Sequence, residues 1–196
     1  MTNKQDMGEK SYKNFISRIN HVSELCNIQY TDSTPAWKNS YNFIENYVKD
    51  KDVFEIGYGF FGGLSQFVID KGARSYVGVD IDALSLKLST EKYPDSNFIW
   101  DDPIYVMNHL DEFNLGDSTK QFICISSGVM DTHILKSPQY IVDLINAIRN
   151  VTPIGGYSIH SGTMLRNDFN KHFEKSNLLP MNNVFADCFE VYKRVK

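Results

Sequence analysis

A glycine-rich stretch at residues 53–63, VFEIGYGFFGG, has the spacing of a ligand-binding turn. Gly57, Gly59 and Gly62 spell G-x-G-x-x-G after a short apolar run and before a helical pattern. Glycines permit a tight turn and a close backbone approach to a ligand, and the free N–H groups of the following helix favour an anion. The pattern predicts a turn that binds a phosphate or a carboxylate, although a strand-to-helix turn without a ligand has the same glycines.

Acidic residues around this turn distinguish between the candidate ligands. Glu55 lies two residues before Gly57, where it would repel a pyrophosphate but attract a cofactor that carries an ammonium and a sulfonium group. Asp80 ends the next predicted strand and suits the two hydroxyls of a ribose. Asp102 follows the third strand, in position for an adenine amino group. Glu55 and Asp102 therefore favour a positively charged adenosine cofactor over a dinucleotide, whereas Asp80 would suit any adenosine cofactor.

Four segments in order, EIGYGFFGG, GVDID, FIWDDP and PIGGYSIHSG, resemble the motifs of the class I S-adenosylmethionine-dependent methyltransferases. The resemblance covers residues 50–195, and it departs from the commonest pattern at Phe61, where a third alternate glycine often stands. It implies that S-adenosylmethionine is the cofactor and S-adenosylhomocysteine the product. The cofactor residues it implies are Glu55, Gly57 and Gly59 at the methionine part, Asp80 at the ribose and Asp102 at the adenine, with Gly62, Ile81 and Ser126 completing the set.

Side chains after the fourth and fifth predicted strands are candidates for catalysis. Asp131 and His133 lie in the segment SSGVMDTHIL, and His160 ends the fifth strand. Tyr58, inside the glycine turn, is predicted to line the site of methyl transfer. Asp131 also fits a helix cap and His133 an exposed helix position, so we expect a functional role for His160 above all. No metal site is predicted, because these histidines have no carboxylate at ligand spacing.

The elements that must position these residues alternate between strand and helix patterns from residue 52 onward. Short apolar runs lead into the segments named above, and helical spacings such as Tyr140, Leu144 and Ile148 separate them. This alternation predicts an α/β fold: a Rossmann-like, doubly wound, mostly parallel sheet with helices on both faces and an antiparallel last strand. Little sequence is left for a hairpin partner of that last strand. In such a sheet the ligand binds beyond the carboxyl ends of the strands.

The first fifty residues precede this pattern and predict an N-terminal helical extension. Helical spacing occurs over residues 11–27 and again from Trp37 to Val48. We therefore expect a helical cap at residues 1–50 and a catalytic domain at residues 51–196. Tyr30, Trp37 and Tyr41 are predicted to bind the substrate by covering it or by stacking on a cation. Trp37 and Tyr41 fit equally well as packing between the helices and the sheet.

The charge and composition of the chain argue against nucleic-acid and membrane partners. The chain has 196 residues, a formal net charge of −4 and a pI near 5.7, which argue against a nucleic-acid surface. The N-terminus is polar, and no apolar stretch approaches the ~20 residues that span a bilayer. The three cysteines have no metal or redox spacing. We expect a cytoplasmic protein without a membrane partner; a homodimer paired through the N-terminal helices is left open.

The sequence favours one reaction and leaves others open. The favoured reaction is methyl transfer by in-line displacement to an oxygen or nitrogen of a small molecule, in biosynthesis. The same fold could instead use the cofactor for aminoalkyl transfer or cyclisation, or methylate a protein or RNA. A dinucleotide-dependent oxidoreductase and a cofactor-binding protein without catalysis are the remaining alternatives. The acceptor itself cannot be read from the sequence.

Overall fold

The computed structural model describes residues 43–59, 63–116, 122–127, 137–161, 170–186 and 189–196. The helix predicted over residues 11–27 lies outside these ranges. Residues 43–48 are helical and form the described part of the second predicted N-terminal helix, here α1.

Strands and helices alternate along the rest of the chain, as predicted. The strands are β1 (Asp52–Ile56), β2 (Ser75–Asp80), β3 (Asn97–Trp100), β4 (Phe122–Ser127), β5 (Tyr157–Ser161), β6 (Leu178–Ala186) and β7 (Phe189–Arg194). The helices after α1 are α2 (Gly63–Asp70), α3 (Ala83–Lys92), α4 (Pro103–Asn108), α5 (Pro138–Val151) and α6 (Asn170–Lys175), with a 3₁₀ turn at Leu110–Phe113. Strands β1 to β5 begin at the short apolar runs that lead into the named segments, because each run follows a turn signal.

The seven strands form one sheet in the order β3-β2-β1-β4-β5-β7-β6. The neighbours from β3 to β5 are parallel, whereas β7 pairs antiparallel with both β5 and β6. Six strands therefore point one way and β7 points the other. All five residues of β1 are buried, as expected for a central parallel strand that is covered on both faces. The predicted mostly parallel sheet with an antiparallel last strand is confirmed.

One expectation about the end of the chain is wrong. The sequence left little room for a hairpin partner of the last strand, but β6 supplies one with nine residues. Pro180 and the pair Asn182-Asn183 gave this segment the composition of a turn. The ladder accommodates them because its register shifts between Pro180 and Phe185, and proline is tolerated on an edge strand.

Each face of the sheet carries its own apolar core. On one face, α4, α5 and α6 cover a cluster that includes Phe54, Phe122 and Ile148. On the other face, α1 and α2 cover a cluster that includes Val53 and Ile125. Successive residues of a strand point to opposite faces, so Val53 and Phe54 enter different clusters. Helices on both faces confirm the predicted doubly wound architecture.

Helix α5 illustrates why these sequences form these elements. Ser137 accepts a hydrogen bond from the Tyr140 backbone N–H at 3.1 Å, and Pro138 occupies the first turn, where a missing N–H costs nothing. Its apolar residues recur at helical spacing and are buried against the sheet: Leu144, Ile145, Ala147, Ile148 and Val151. The cap fixes where the helix begins, and this apolar face fixes how it packs.

The carboxyl ends of the parallel strands meet at one edge of the sheet. Ile56, Asp80, Trp100, Ser127 and Ser161 end β1 to β5 there. The glycine turn and the predicted acidic residues therefore lie on neighbouring strands at one edge. None of the helices in the described ranges is long and apolar enough to cross a membrane.

Candidate cofactor and active site

The glycine turn leaves β1 in a conformation that requires glycine. Gly57 and Gly59 have φ angles of 68° and 62°, in the left-handed region that side chains rarely adopt. The Gly57 N–H donates to Val79 O at 2.8 Å, which ties the start of the turn to β2. Apart from its two chain neighbours, none of the described residues comes within 4 Å of the position that a Cβ at Gly59 would take. The turn is thus anchored on one side and open on the other, where a ligand can approach the backbone.

Asp80 connects the end of β2 to this turn. Its Oδ2 accepts a hydrogen bond from the Gly59 N–H at 2.8 Å, and its Oδ1 accepts one from the Asp82 N–H at 2.9 Å. Burial raises the pKa of the Asp80 carboxyl, and these backbone N–H groups oppose the rise. Each carboxylate oxygen can accept a second hydrogen bond. The side chain can therefore hold the turn in place and still accept two hydroxyl groups of a ligand.

An apolar surface lies directly beside Asp80. Ile81 is 51% exposed. Its backbone position is fixed because the Trp100 indole N–H donates to Ile81 O at 2.9 Å. Ile81 thus offers a fixed apolar surface on which a flat ring such as adenine can pack.

Asp102 has a structural role that the sequence did not predict. It caps α4, since its Oδ1 accepts a hydrogen bond from the Ile104 N–H at 2.8 Å. The Tyr140 hydroxyl donates to the same oxygen at 3.3 Å, so Asp102 also connects α4 to α5. A groove of about 630 Å³ begins between Asp102 and Tyr140 and continues between the two helices. Tyr140, which the sequence placed only on a helix face, thus contacts one of the predicted cofactor residues.

Glu55 is buried at the end of β1, with 2% of its surface exposed. Its Oε2 accepts hydrogen bonds from the Ser65 Oγ at 2.7 Å and the Tyr76 hydroxyl at 2.6 Å. Burial raises the pKa of Glu55 to about 7, although both hydroxyls favour the charged form. Glu55 therefore connects β1 to α2 and β2, and Ser65 and Tyr76 are partners that sequence reasoning missed. The alternation of β2 could have indicated Tyr76, because Tyr76 and Gly78 are two residues apart and share a face.

Tyr58 is packed beneath the glycine turn. The side chain is 4% exposed, and its ring centroid lies 5.0 Å from that of Phe98. A Cβ at Gly78 would lie 2.8 Å from the ring, so the glycine on β2 makes room for it. Its hydroxyl is buried without a hydrogen-bond partner among the described residues. The ring packs against Phe98 and Gly78, and its position at the site of methyl transfer stays a prediction.

His160 is fully buried on β5. Its Nδ1 lies 2.9 Å from the Ser126 Oγ, and its ring stacks on Phe173 at a centroid distance of 5.5 Å. Burial lowers the pKa of His160 to about 3. A neutral imidazole with so low a pKa is a poor general base at neutral pH. The hydroxyl of Ser126 lies at His160, and the contact of Ser126 with the cofactor stays a prediction.

The same fold occurs in solved methyltransferase structures. A TehB-like S-adenosylmethionine-dependent methyltransferase from Corynebacterium glutamicum matches with a TM-score of 0.64 and 13% identity, over 89% of this chain and 96% of that one. The N-methyltransferase NodS from Bradyrhizobium japonicum matches with a TM-score of 0.63 and 9% identity, over 84% and 99% of the two chains. The 1,6-didemethyltoxoflavin-N1-methyltransferase from Burkholderia thailandensis, solved with its substrate and S-adenosylhomocysteine, matches with a TM-score of 0.61 and 10% identity, over 100% and 92%.

The chain has the class I methyltransferase fold. Other matched structures with this fold are methylases of a ribosomal protein and of ribosomal RNA. No protein-family model matches the chain, and no curated protein matches it by sequence.

The methyltransferase fold brings part of the predicted site together. Glu55, Gly57, Gly59, Asp80, Ile81 and Asp102 all lie at or beside the carboxyl edge of β1, β2 and β3. Ser126 and His160 form a second group at the ends of β4 and β5, where they are directly paired in register. The remaining predicted residues lie outside the described ranges: Tyr30, Trp37, Tyr41, Gly62, Asp131 and His133.

Proposed function

We propose that this chain is an S-adenosylmethionine-dependent methyltransferase that methylates an oxygen or nitrogen of a small molecule. The contact between Asp80 and Gly59 is the observation that carries the proposal. It joins the acidic end of β2 to an open glycine turn, and it leaves hydrogen-bonding capacity for a ribose. The matched structures support the proposal through their shared fold, and one of them contains S-adenosylhomocysteine together with a small-molecule substrate.

The described residues fit this cofactor along its length. The turn at Gly57 and Gly59, with open space beside Gly59, would hold the methionine part, and the Asp80 carboxylate would accept the ribose hydroxyls. Ile81 would pack on the adenine ring, with Asp102 at the adenine amino group. When bound, S-adenosylmethionine supplies an electrophilic methyl group on a positively charged sulfur.

The main task of the protein is then to orient the two reactants. Holding an acceptor in line with a reactive group can lower a barrier by ~7–11 kcal/mol. The glycine turn after β1 would hold S-adenosylmethionine, and the ends of β4 and β5 would adjoin the acceptor. His160 would act there as a neutral group that fixes the position of Ser126, because burial keeps the pKa of His160 near 3. Asp131 and His133 remain candidates for contact with the acceptor.

Titration calorimetry with three ligands tests the cofactor assignment. We expect S-adenosylmethionine and S-adenosylhomocysteine to bind the wild-type chain and NADH not to bind. An Asp80→Ala variant should bind neither S-adenosylmethionine nor S-adenosylhomocysteine. The control variant Asp95→Ala should bind both, because it removes only an exposed carboxylate between α3 and β3. Binding of NADH alone would overturn the proposal in favour of a dinucleotide enzyme.

Product analysis then tests the reaction. Methyl transfer releases S-adenosylhomocysteine, whereas aminoalkyl transfer or cyclisation releases methylthioadenosine. The acceptor class is tested by supplying small amines, phenols and carboxylic acids separately from ribosomal RNA and protein. Methylation of RNA or protein alone would contradict a small-molecule acceptor while leaving the cofactor assignment intact.

The N-terminal segment at residues 1–50 is proposed as the cover of the acceptor site. Its support is the sequence, which places Tyr30, Trp37 and Tyr41 ahead of the sheet. Deletion of residues 1–30 should abolish turnover and spare cofactor binding in the calorimeter. Unchanged turnover in the shortened chain would rule out this role.

A further inference from the structure

The buried carboxyl of Glu55 has only neutral hydrogen-bond partners among the described residues. Both contacts to its Oε2 come from hydroxyl groups, those of Ser65 and Tyr76. The residues paired with it in the sheet, Gly78 on β2 and Ile125 on β4, are uncharged. A buried carboxylate without a cationic partner is unfavourable, so the group gains stability from a proton or from a positive ligand.

None of the described titratable groups that face Glu55 supplies a positive charge to its carboxylate. Tyr76 on β2 and Tyr58 in the glycine turn face it, and burial raises the pKa of both phenols, so they remain neutral. The nearby charged group is Asp80, whose negative charge disfavours ionisation of Glu55 further. Ser65, from the first turn of α2, contributes a hydroxyl and no charge. In the protein without ligand, the Glu55 carboxyl is therefore partly protonated near neutral pH, because its pKa is about 7.

We infer that Glu55 distinguishes S-adenosylmethionine from S-adenosylhomocysteine by giving up its proton when the positively charged sulfur binds at the neighbouring glycine turn. The inference rests on the proposed function. Both ligands carry the same ammonium and carboxylate, so their difference in charge lies at the sulfur alone. Glu55 lies two residues before Gly57, and a buried carboxylate interacts strongly with a nearby charge because little water screens it. The sulfonium thus stabilises ionised Glu55, and the neutral thioether product does not.

This linkage favours the substrate over the product as the pH rises. Above the pKa of about 7, Glu55 is already ionised and attracts the sulfonium without losing a proton. At lower pH the sulfonium must first displace that proton, which weakens its binding. If the sulfonium lowers the pKa by about one unit, the affinity ratio of S-adenosylmethionine to S-adenosylhomocysteine rises by about fivefold between pH 6 and pH 8.

Calorimetry in buffers of different ionisation enthalpy measures the proton directly. We expect S-adenosylmethionine to release roughly 0.4 more proton per site at pH 7 than S-adenosylhomocysteine does. The same titrations are repeated on Glu55→Gln, which retains an acceptor for Ser65 and Tyr76 but cannot ionise. The difference in proton release and the pH dependence of the affinity ratio should both disappear in that variant.

Each outcome decides a separate question. Equal proton release by both ligands in the wild-type chain overturns the inference without any variant, even if Glu55→Gln does not fold. A difference that persists in a folded Glu55→Gln protein also overturns it, since the proton then comes from another group such as Asp80. If neither ligand binds the wild-type chain, the proposed function fails instead.

Discussion

His160 Nδ1 lies 2.9 Å from Ser126 Oγ, and the two residues are directly paired between β5 and β4. Phe173 covers the imidazole ring, and burial lowers the pKa of His160 from its ordinary 6.5 to about 3. The histidine at the end of the fifth strand is therefore a neutral group in the core. This arrangement leads to a prediction about the stability of the fold.

The contribution of His160 to the free energy of unfolding should fall as the pH is lowered from about 6.5 toward 3. In this window the unfolded chain protonates His160 and the folded chain does not, so the unfolded state binds more protons. Replacing His160 with glutamine should remove this contribution, as measured by denaturant unfolding at a series of pH values. His172→Gln on α6 controls for the loss of a histidine elsewhere. An unchanged pH dependence in His160→Gln would contradict the neutral, buried state of the ring.

Glu55 should contribute to stability with the opposite sign. Its pKa is raised from 4.5 to about 7, so between these values the folded state holds a proton that the unfolded state has lost. The contribution is fully present below pH 4.5 and is lost as the pH rises through 7, by about 3 kcal/mol at most. Glu55→Gln should therefore be more stable relative to wild type at pH 8 than at pH 5. Unfolding in urea at these two pH values measures the difference, and a constant difference would contradict the prediction.

Gly78→Ala should disturb the support of the glycine turn. An added Cβ would lie 2.7 Å from the Tyr76 hydroxyl, 2.8 Å from Tyr58 Cδ1 and 3.0 Å from Phe98 Cδ1. Such overpacking typically costs about 1–3 kcal/mol, and here the side chains that must move include Tyr58 beneath the turn. We expect a lower melting temperature and weaker cofactor binding, measured by thermal unfolding and calorimetry. A variant with wild-type stability would show that the three rings can move apart at little cost.

Two substitutions at Asp102 should separate its structural role from its proposed binding role. A serine at position 102 can still cap α4, whereas an alanine cannot. The Asp102→Ala protein should therefore lose about 1 kcal/mol of stability. Both remove the carboxylate from the proposed adenine site, so both should weaken cofactor binding by about 10- to 100-fold. Thermal unfolding and titration of Asp102→Ser and Asp102→Ala measure the two effects. Cofactor binding at wild-type strength in Asp102→Ser would limit Asp102 to capping α4 and accepting the Tyr140 hydroxyl.

The sequence by itself determined the order of the elements and the location of the candidate site. Apolar runs, helical spacing and turn residues are local signals, so they placed β1 to β5 and the helices between them. The carboxyl ends of parallel strands meet at one edge, so the sequence alone predicted that Gly57, Gly59 and Asp80 are neighbours. Those inferences needed only residues that are close in the chain and one general rule of sheet topology.

The tertiary structure alone decided what the polar side chains contact. Glu55 meets Ser65 and Tyr76, which are 10 and 21 residues away, and Asp102 meets Tyr140 at a separation of 38. Strand β6 became recognisable only through its pairing with β7, since Pro180 made the segment look like a turn. Burial likewise makes His160, for which the sequence predicted a functional role, a neutral residue in the core. Partners, burial and pKa depend on which distant segments pack together, and local patterns in a sequence do not specify that packing.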